Sequence, residues 1–114
     1  MEHTNTMKEV INVVSDYHPR PKWRYVKEGE GSGEEFREKC LLQPLKDNKH
    51  VTINLTGYNR YGPSFISEAF GGLIREHNFT LEFLREHISI SHELLPTIVS
   101  MCWEEIEKAS KEKK

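Results

Sequence analysis

Residues 51–75 read VTINLTGYNRYGPSFISEAFGGLIR, and the spacing of their apolar positions changes halfway along. Val51, Ile53 and Leu55 alternate with Thr52 and Asn54, the two-residue period of a half-buried strand. Residues 57–62 are polar and bounded by glycines, which predicts a tight turn. Pro63 and Ser64 then open a helix, because a proline at the first helical position forgoes no hydrogen bond. Phe65, Ile66, Ala69, Phe70, Leu73 and Ile74 recur at helical spacing and predict a broad buried stripe. A strand feeding a helix through a short turn is a building unit of α/β sheets. It also places the Ser64 hydroxyl in the first turn of a helix. There the group can serve as the N-cap, help bind an anion, act as a nucleophile or be displayed for phosphorylation.

On the N-terminal side, MKEVINVV (7–14) is β-branched and apolar and predicts a first strand. Pro19 and Pro21 interrupt regular structure, and the alternation in WRYV (23–26) predicts a second strand. Gly29, Gly31 and Gly33 mark a loop, within which Ser32 and Glu35 have the spacing of a capping box. The helix that follows covers 34–45, with Phe36, Cys40, Leu41 and Leu45 at helical spacing. Its regular turns are expected to end near Gln43, ahead of Pro44.

Towards the C-terminus, residues 78–87 predict one helical turn around 81–84, and Ile88 to Ile90 predict the last strand. A final helix starting near Ser91 carries Leu94, Leu95, Ile98, Val99, Cys102, Trp103 and Ile106 on one face. Its end, KASKEKK, suits the negative pole of a helix and is expected to fray. Strands alternating with helices imply an α/β fold, a small sheet of about four strands with helices packed on one face. No repeat or linker divides the chain, so residues 1–114 are read as a single domain with its core over about 7–109.

Lys and Arg number 16 against 18 Asp and Glu, a net charge of −2, so no global basic field draws the chain to nucleic acid or anionic lipid. Cys40 and Cys102 match no metal or redox spacing, and each lies in an apolar run where a reduced thiol packs as a small hydrophobe. The start, MEHTNTMKEV, is acidic and polar, unlike a signal peptide. The apolar runs fall far short of the roughly 18 residues of a membrane span. These features predict a cytoplasmic protein in which the sequons at Asn54 and Asn78 go unused.

Glu68 follows Ser64 by one turn, yet no His or Lys has an evident place beside them. With no nucleophile, base and orienting group assembled, no catalytic residue is assigned and the chain is read as non-enzymatic. The six histidines form neither HExxH nor HxH, so no metal or cofactor is expected. Gly71 and Gly72 in mid-helix cost together about 2 kcal/mol relative to alanines. Either a neighbouring element packs unusually close there or a partner does.

The run RPKWRYVK holds the cations Arg20, Lys22, Arg24 and Lys27 with Trp23 and Tyr25, and no acid. Charge and stacking of this kind suit single-stranded nucleic acid or a nucleotide, whereas an edge hairpin protected by cations is the plainer reading. The nearby GEGSG lacks the lysine of a phosphate loop and runs into Glu34 and Glu35, which repel an anion.

The succession PRPKWRY, GSGEEFREKCLLQPL and VTINLTGYNRYGPSFISEAFGGLIRE resembles the bacterial STAS-like domain of unknown function over most of the chain. SFISEAFGGL is its most specific part, similar to a family signature Ser-Phe-x-x-Glu-x-Phe-Gly-x-Leu. The resemblance implies the sheet of about four strands flanked by helices on one side. It also implies a relation to the STAS domains of anti-sigma-factor antagonists and of anion-transporter tails. In the antagonists an Asp-Leu-Ser segment precedes Asp-Ser-Ser-Gly at a helix start, and the second serine of the latter is phosphorylated by a partner kinase. NLTGY (54–58) is similar to the first segment, and GPSF (62–65) falls where the second belongs.

Ser64 then matches the phosphorylated position, with Asn54, Gly62, Pro63 and Phe65 standing where the antagonists have Asp, Asp, Ser and Gly. The resemblance implies a regulatory, partner-switching interaction module that works with a histidine-kinase-type ATPase, as a monomer or a homodimer. The expected partner surface is the turn with Tyr58, Asn59, Arg60 and Tyr61, and an exposed helix face with Ser67, Glu68 and Arg75.

Overall fold

The structure, a computed structural model, describes residues 8–113. Three strands, β1 (Lys8–Asn12), β2 (His50–Asn54) and β3 (Ile88–Ser91), form one sheet in that spatial order. Both pairs are parallel, with Ile11 beside Ile53 and Ile53 beside Ile90. Parallel neighbours need a crossover, and helices occupy both. The first holds a short turn α1 (Val13–Asp16) and α2 (residues 33–46); the second holds α3 (residues 63–75) and α4 (Leu81–His87). Helix α5 (Pro96–Glu112) follows β3.

Strand alternation separates the two faces of the sheet. Ile11, Val51, Ile53 and Ile88 are buried on one face, while Val10, Asn12, Ser89 and Ser91 are exposed on the other. Under the buried face Phe36 packs on Phe65 and Phe70, with ring centroids 5.9 and 6.4 Å apart. Each such ring contributes roughly 1.5–3 kcal/mol through burial. Ile98, Cys102, Ile106 and Ala109 of α5 close the same core.

Several expectations are corrected. Met7 lies outside the described residues, and β1 ends at Asn12 because Val13–Asp16 turns helical. Residues 23–26 form no strand: Trp23 makes one isolated bridge to Ser32, and Val26–Glu28 is a 3₁₀ turn. The Glu28 carboxylate accepts the N–H groups of Arg24 at 3.2 Å and Tyr25 at 2.9 Å, so these donors are satisfied locally instead of in a ladder. The sheet of the described residues therefore has three strands rather than about four.

Ser32 caps α2 as its spacing predicts, accepting the Glu35 N–H at 3.0 Å. The Glu35 carboxylate turns instead to the Tyr17 hydroxyl and Lys39, so only half of the capping box forms. Helix α2 also runs on through Pro44 to Lys46. A π-helical segment, Arg37–Leu41, opens the usual i→i−4 ladder just before, so the proline falls where the bonding is already offset. Helix α4 is longer than one turn, capped by Thr80, which accepts the Phe83 N–H at 3.0 Å. Helix α5 begins at Pro96 rather than near Ser91, and residues 92–95 form a bonded loop of their own.

Candidate functional site

Ser64 is the second residue of α3, not its cap. Pro63 takes the first helical position, where its fixed φ is suited to the helix and its missing N–H is no loss, and Gly62 becomes the N-cap. The Ser64 side chain is exposed and makes no capping bond.

The turn before it is held from beneath. Tyr61 is buried and donates its hydroxyl to the Leu55 carbonyl at 2.9 Å, while Tyr58 packs edge-on against its ring at 5.1 Å. Burial raises the Tyr61 pKa well above the usual phenol range.

Buried His92 supplies the second support. Its Nδ1 accepts the N–H groups of Leu94 and Leu95 at 3.1 and 3.0 Å. The neutral ring therefore carries its proton on Nε2, which donates to the Tyr58 carbonyl at 2.9 Å. Thr56 adds a hydroxyl that accepts the Glu93 N–H at 2.8 Å. The loop after β3 thus braces the turn after β2. Between them lies an open depression of about 470 Å³ lined by Thr56, Gly57, Tyr58, Asn59, Arg60 and Leu94. Asn59 and Arg60 are exposed, and Leu94 is 67% exposed. Sequence reasoning missed His92 and Leu94. His92 lies 34 residues from Tyr58, and its only local mark is a position between a strand and a proline.

The helix face after Ser64 departs from expectation. Glu68 is 7% exposed and Arg37, on α2, is 4% exposed. Arg37 Nη1 donates to the Glu68 carboxylate at 2.9 Å and to the Glu68 carbonyl at 2.6 Å, and its Nε donates to Glu38 at 2.8 Å. Burial would lower the Arg37 pKa, but the bonds to Glu68 and Glu38 outweigh it and hold the guanidinium charged above its ordinary value. Arg24 reaches the other Glu68 oxygen at 3.5 Å. Glu68 consequently ties α2, α3 and the 20–27 loop together from inside instead of facing a partner.

Gly33 and Gly72 leave room for this joint, and Gly71 leaves room for Arg75. A Cβ on Gly72 would collide with Arg37 Nη1, one on Gly33 with the Phe65 carbonyl, and one on Gly71 would come 2.7 Å from Arg75 Nη1. Arg75 in turn donates to the Ser67 carbonyl at 2.9 Å, so the two half-buried residues bond to one another. The central stretch of α3, Ser67–Gly71, is π-helical like that of α2, and Arg37 and Glu68 meet where these two segments pack. Close packing against α2 accounts for Gly72, whereas the atoms nearest a Cβ on Gly71 belong to Arg75 of the same helix.

Arg20, Lys22, Trp23 and Lys27 are exposed, while Arg24 is half-buried on Glu68. They lie on a loop stapled to the start of α2, not on an edge hairpin: the carbonyls of Trp23 and Arg24 accept the N–H groups of Gly33 and Glu34. Cys40 and Cys102 are free thiols. Burial pushes Cys40 up to about 11 and raises Cys102 further. Among the described residues no three His, Cys, Asp or Glu side chains converge as a metal ion requires, and no helix is long and apolar enough to cross a membrane.

Residues 32–93, from the cap of α2 to the loop after β3, match the family described as a STAS-like domain of unknown function (DUF4325). No curated protein and no solved structure matches the chain. The match takes in the Arg37–Glu68 joint, the braced turn and Ser64; the 20–27 loop precedes it and α5 follows it.

Proposed function

The chain belongs to the family of STAS-like domains of unknown function, and from that premise we propose that it is a regulatory protein-interaction module, not an enzyme. The observation that carries this reading is the braced depression beside the β2–α3 turn. Two buried side chains, Tyr61 and His92, hold a rim that presents Tyr58, Asn59, Arg60 and Leu94 outward. An apolar side chain beside an exposed arginine on a pre-organised rim is the kind of anchor that binding partners use. Ser64, exposed in the first turn of α3, is the switch upon that surface. A phosphate there meets the unpaired N–H groups and positive pole of the helix, so the fold tolerates it while the partner meets a new double charge. The partner is a protein of the histidine-kinase-type ATPase class, and the module acts in the cytoplasm.

Incubation of the protein with such an ATPase and ATP, followed by mass spectrometry, should locate a phosphate on Ser64. Ser64→Asp should weaken binding to that ATPase by about tenfold, the effect of about 1.4 kcal/mol, and Ser64→Ala should bind like the native chain. An unmodified Ser64, together with equal binding by both variants, sinks the switch. Equal binding by Arg60→Glu and Leu94→Ala as well sinks the surface.

A further inference from the structure

We propose that Ser89 is a nucleophile activated by His50, and that it accepts an acyl group with a short aliphatic chain from an activated ester or thioester. The modification is one per chain: it adds a covalent mark to an interaction module and needs no turnover. It is independent of Ser64, because His50 and Ser89 lie at the starts of β2 and β3, whereas the β2–α3 turn lies beyond the end of β2.

Helices cover one face of the sheet, and the other carries Val10, Thr52 and Ser89 in register across the three strands. His50 opens β2 on that open face, two residues before Thr52, so its ring lies diagonally across from Ser89. Its Nε2 is 2.8 Å from the Ser89 Oγ, and its Nδ1 is 3.2 Å from the Glu86 carbonyl. A carbonyl can only accept, so Nδ1 carries the proton and the neutral ring presents Nε2 as an acceptor. The Ser89 hydroxyl therefore donates to the imidazole. Glu86 sits in the last turn of α4, where helix carbonyls lack a partner within the helix, which leaves this one free to orient the ring.

Hydroxyl, base and orienting acceptor thus stand in the order that makes a serine nucleophilic. The sequence hides the set, since 39 positions separate Ser89 from His50. Ser89 is exposed, so a donor reaches it from solvent. As Oγ bonds to the acyl carbon, its proton passes to His50 Nε2. The bond from that carbon to the leaving oxygen or sulfur then breaks, and the imidazolium returns the proton to the departing group. A Ser89 ester and a neutral His50 remain. Val10 selects the acyl group. It is 61% exposed on the same face, two strand spacings or roughly 10 Å from Ser89. An aliphatic chain fixed at Ser89 lies over Thr52 and covers Val10, which a phosphoryl group cannot do.

Ser91 is the internal control: it is exposed on the same face of the same strand, and no described histidine bonds to its hydroxyl. The full chain is incubated with p-nitrophenyl hexanoate or p-nitrophenyl acetate, and the acylated residues are located by peptide mass spectrometry. Ser89 should be esterified at least about tenfold faster than Ser91. His50→Gln keeps a hydrogen-bonding side chain but supplies no base, so Ser89 should fall to the rate of Ser91 while circular dichroism shows the fold intact. Val10→Ser should slow the hexanoate and leave the acetate unchanged. Equal labelling of Ser89 and Ser91 overturns the activated serine, as does an unaltered Ser89 rate in His50→Gln or acyl found on His50 alone. A Val10→Ser variant that slows hexanoate no more than acetate overturns the aliphatic seat.

Discussion

Gly71 and Gly72 are adjacent, both buried and both in mid-helix, yet a methyl group at each meets a different obstacle. At Gly72 it must displace the Arg37 guanidinium, which has no alternative site because Glu68 and its carbonyl hold it in the interior. Gly72→Ala should therefore cost about 3 kcal/mol, the scale of breaking a buried ion pair, in urea unfolding. At Gly71 the obstacle is the end of half-buried Arg75, which can swing away, so Gly71→Ala should cost less than about 1 kcal/mol. The glycine pair was legible as an anomaly, but which of the two is indispensable depends on an arginine 35 positions back in the chain. Cys40 offers a second test. With its thiol pushed up to about 11, alkylation at pH 8 should run far below the rate of a free cysteine and climb as the pH approaches 11.

Caps and turns divide according to how local their partners are. Ser32 and Thr80 bond to N–H groups three residues on, and such spacings can be read from the chain; Thr80→Ala should cost about 1 kcal/mol of stability. Read as a cap, Ser64 was misplaced by two positions, because Pro63 takes the start of α3 and Gly62 becomes the cap. The support of the β2–α3 turn was not legible, since it comes from the far side of β3. Replacing His92 by Ala leaves the N–H groups of Leu94 and Leu95 and the Tyr58 carbonyl without their partner. His92→Ala should thus cost roughly 2 kcal/mol and speed hydrogen exchange across residues 56–62 and 92–95, while that of α2 keeps its protection. WRYV read as a strand on alternation alone, but four residues are too few to outweigh local carboxylate bonds to their own backbone.

Stability as a function of pH reports on the assembled fold. The Lys39 hydrogen bond lowers the Glu35 pKa below the ordinary 4.5. Burial would raise that of Glu38, but bonds from His77 and Arg37 overcome it and lower it too. A carboxyl whose folded pKa is depressed stabilises the native state fully above its unfolded value, and that contribution fades as the pH falls through the folded one. Unfolding followed by circular dichroism should therefore show stability falling off below about pH 4.5. The fall should be shallower in a Glu35→Gln, Glu38→Gln double variant; an identical acid limb would show that neither pair matters to the fold. The alternation of 51–55, the apolar stripe of 65–74 and the strand at 88–90 were legible because they are periodic, and periodicity is a property of neighbours in the chain. So were the α/β class and the helix-covered single face of the sheet. The number of strands, the π-helical joint of α2 and α3, and the interior place of Glu68 were not. A carboxylate on a helix is read as solvated unless a cation 31 positions away is brought against it, and only the packed fold brings Arg37 there.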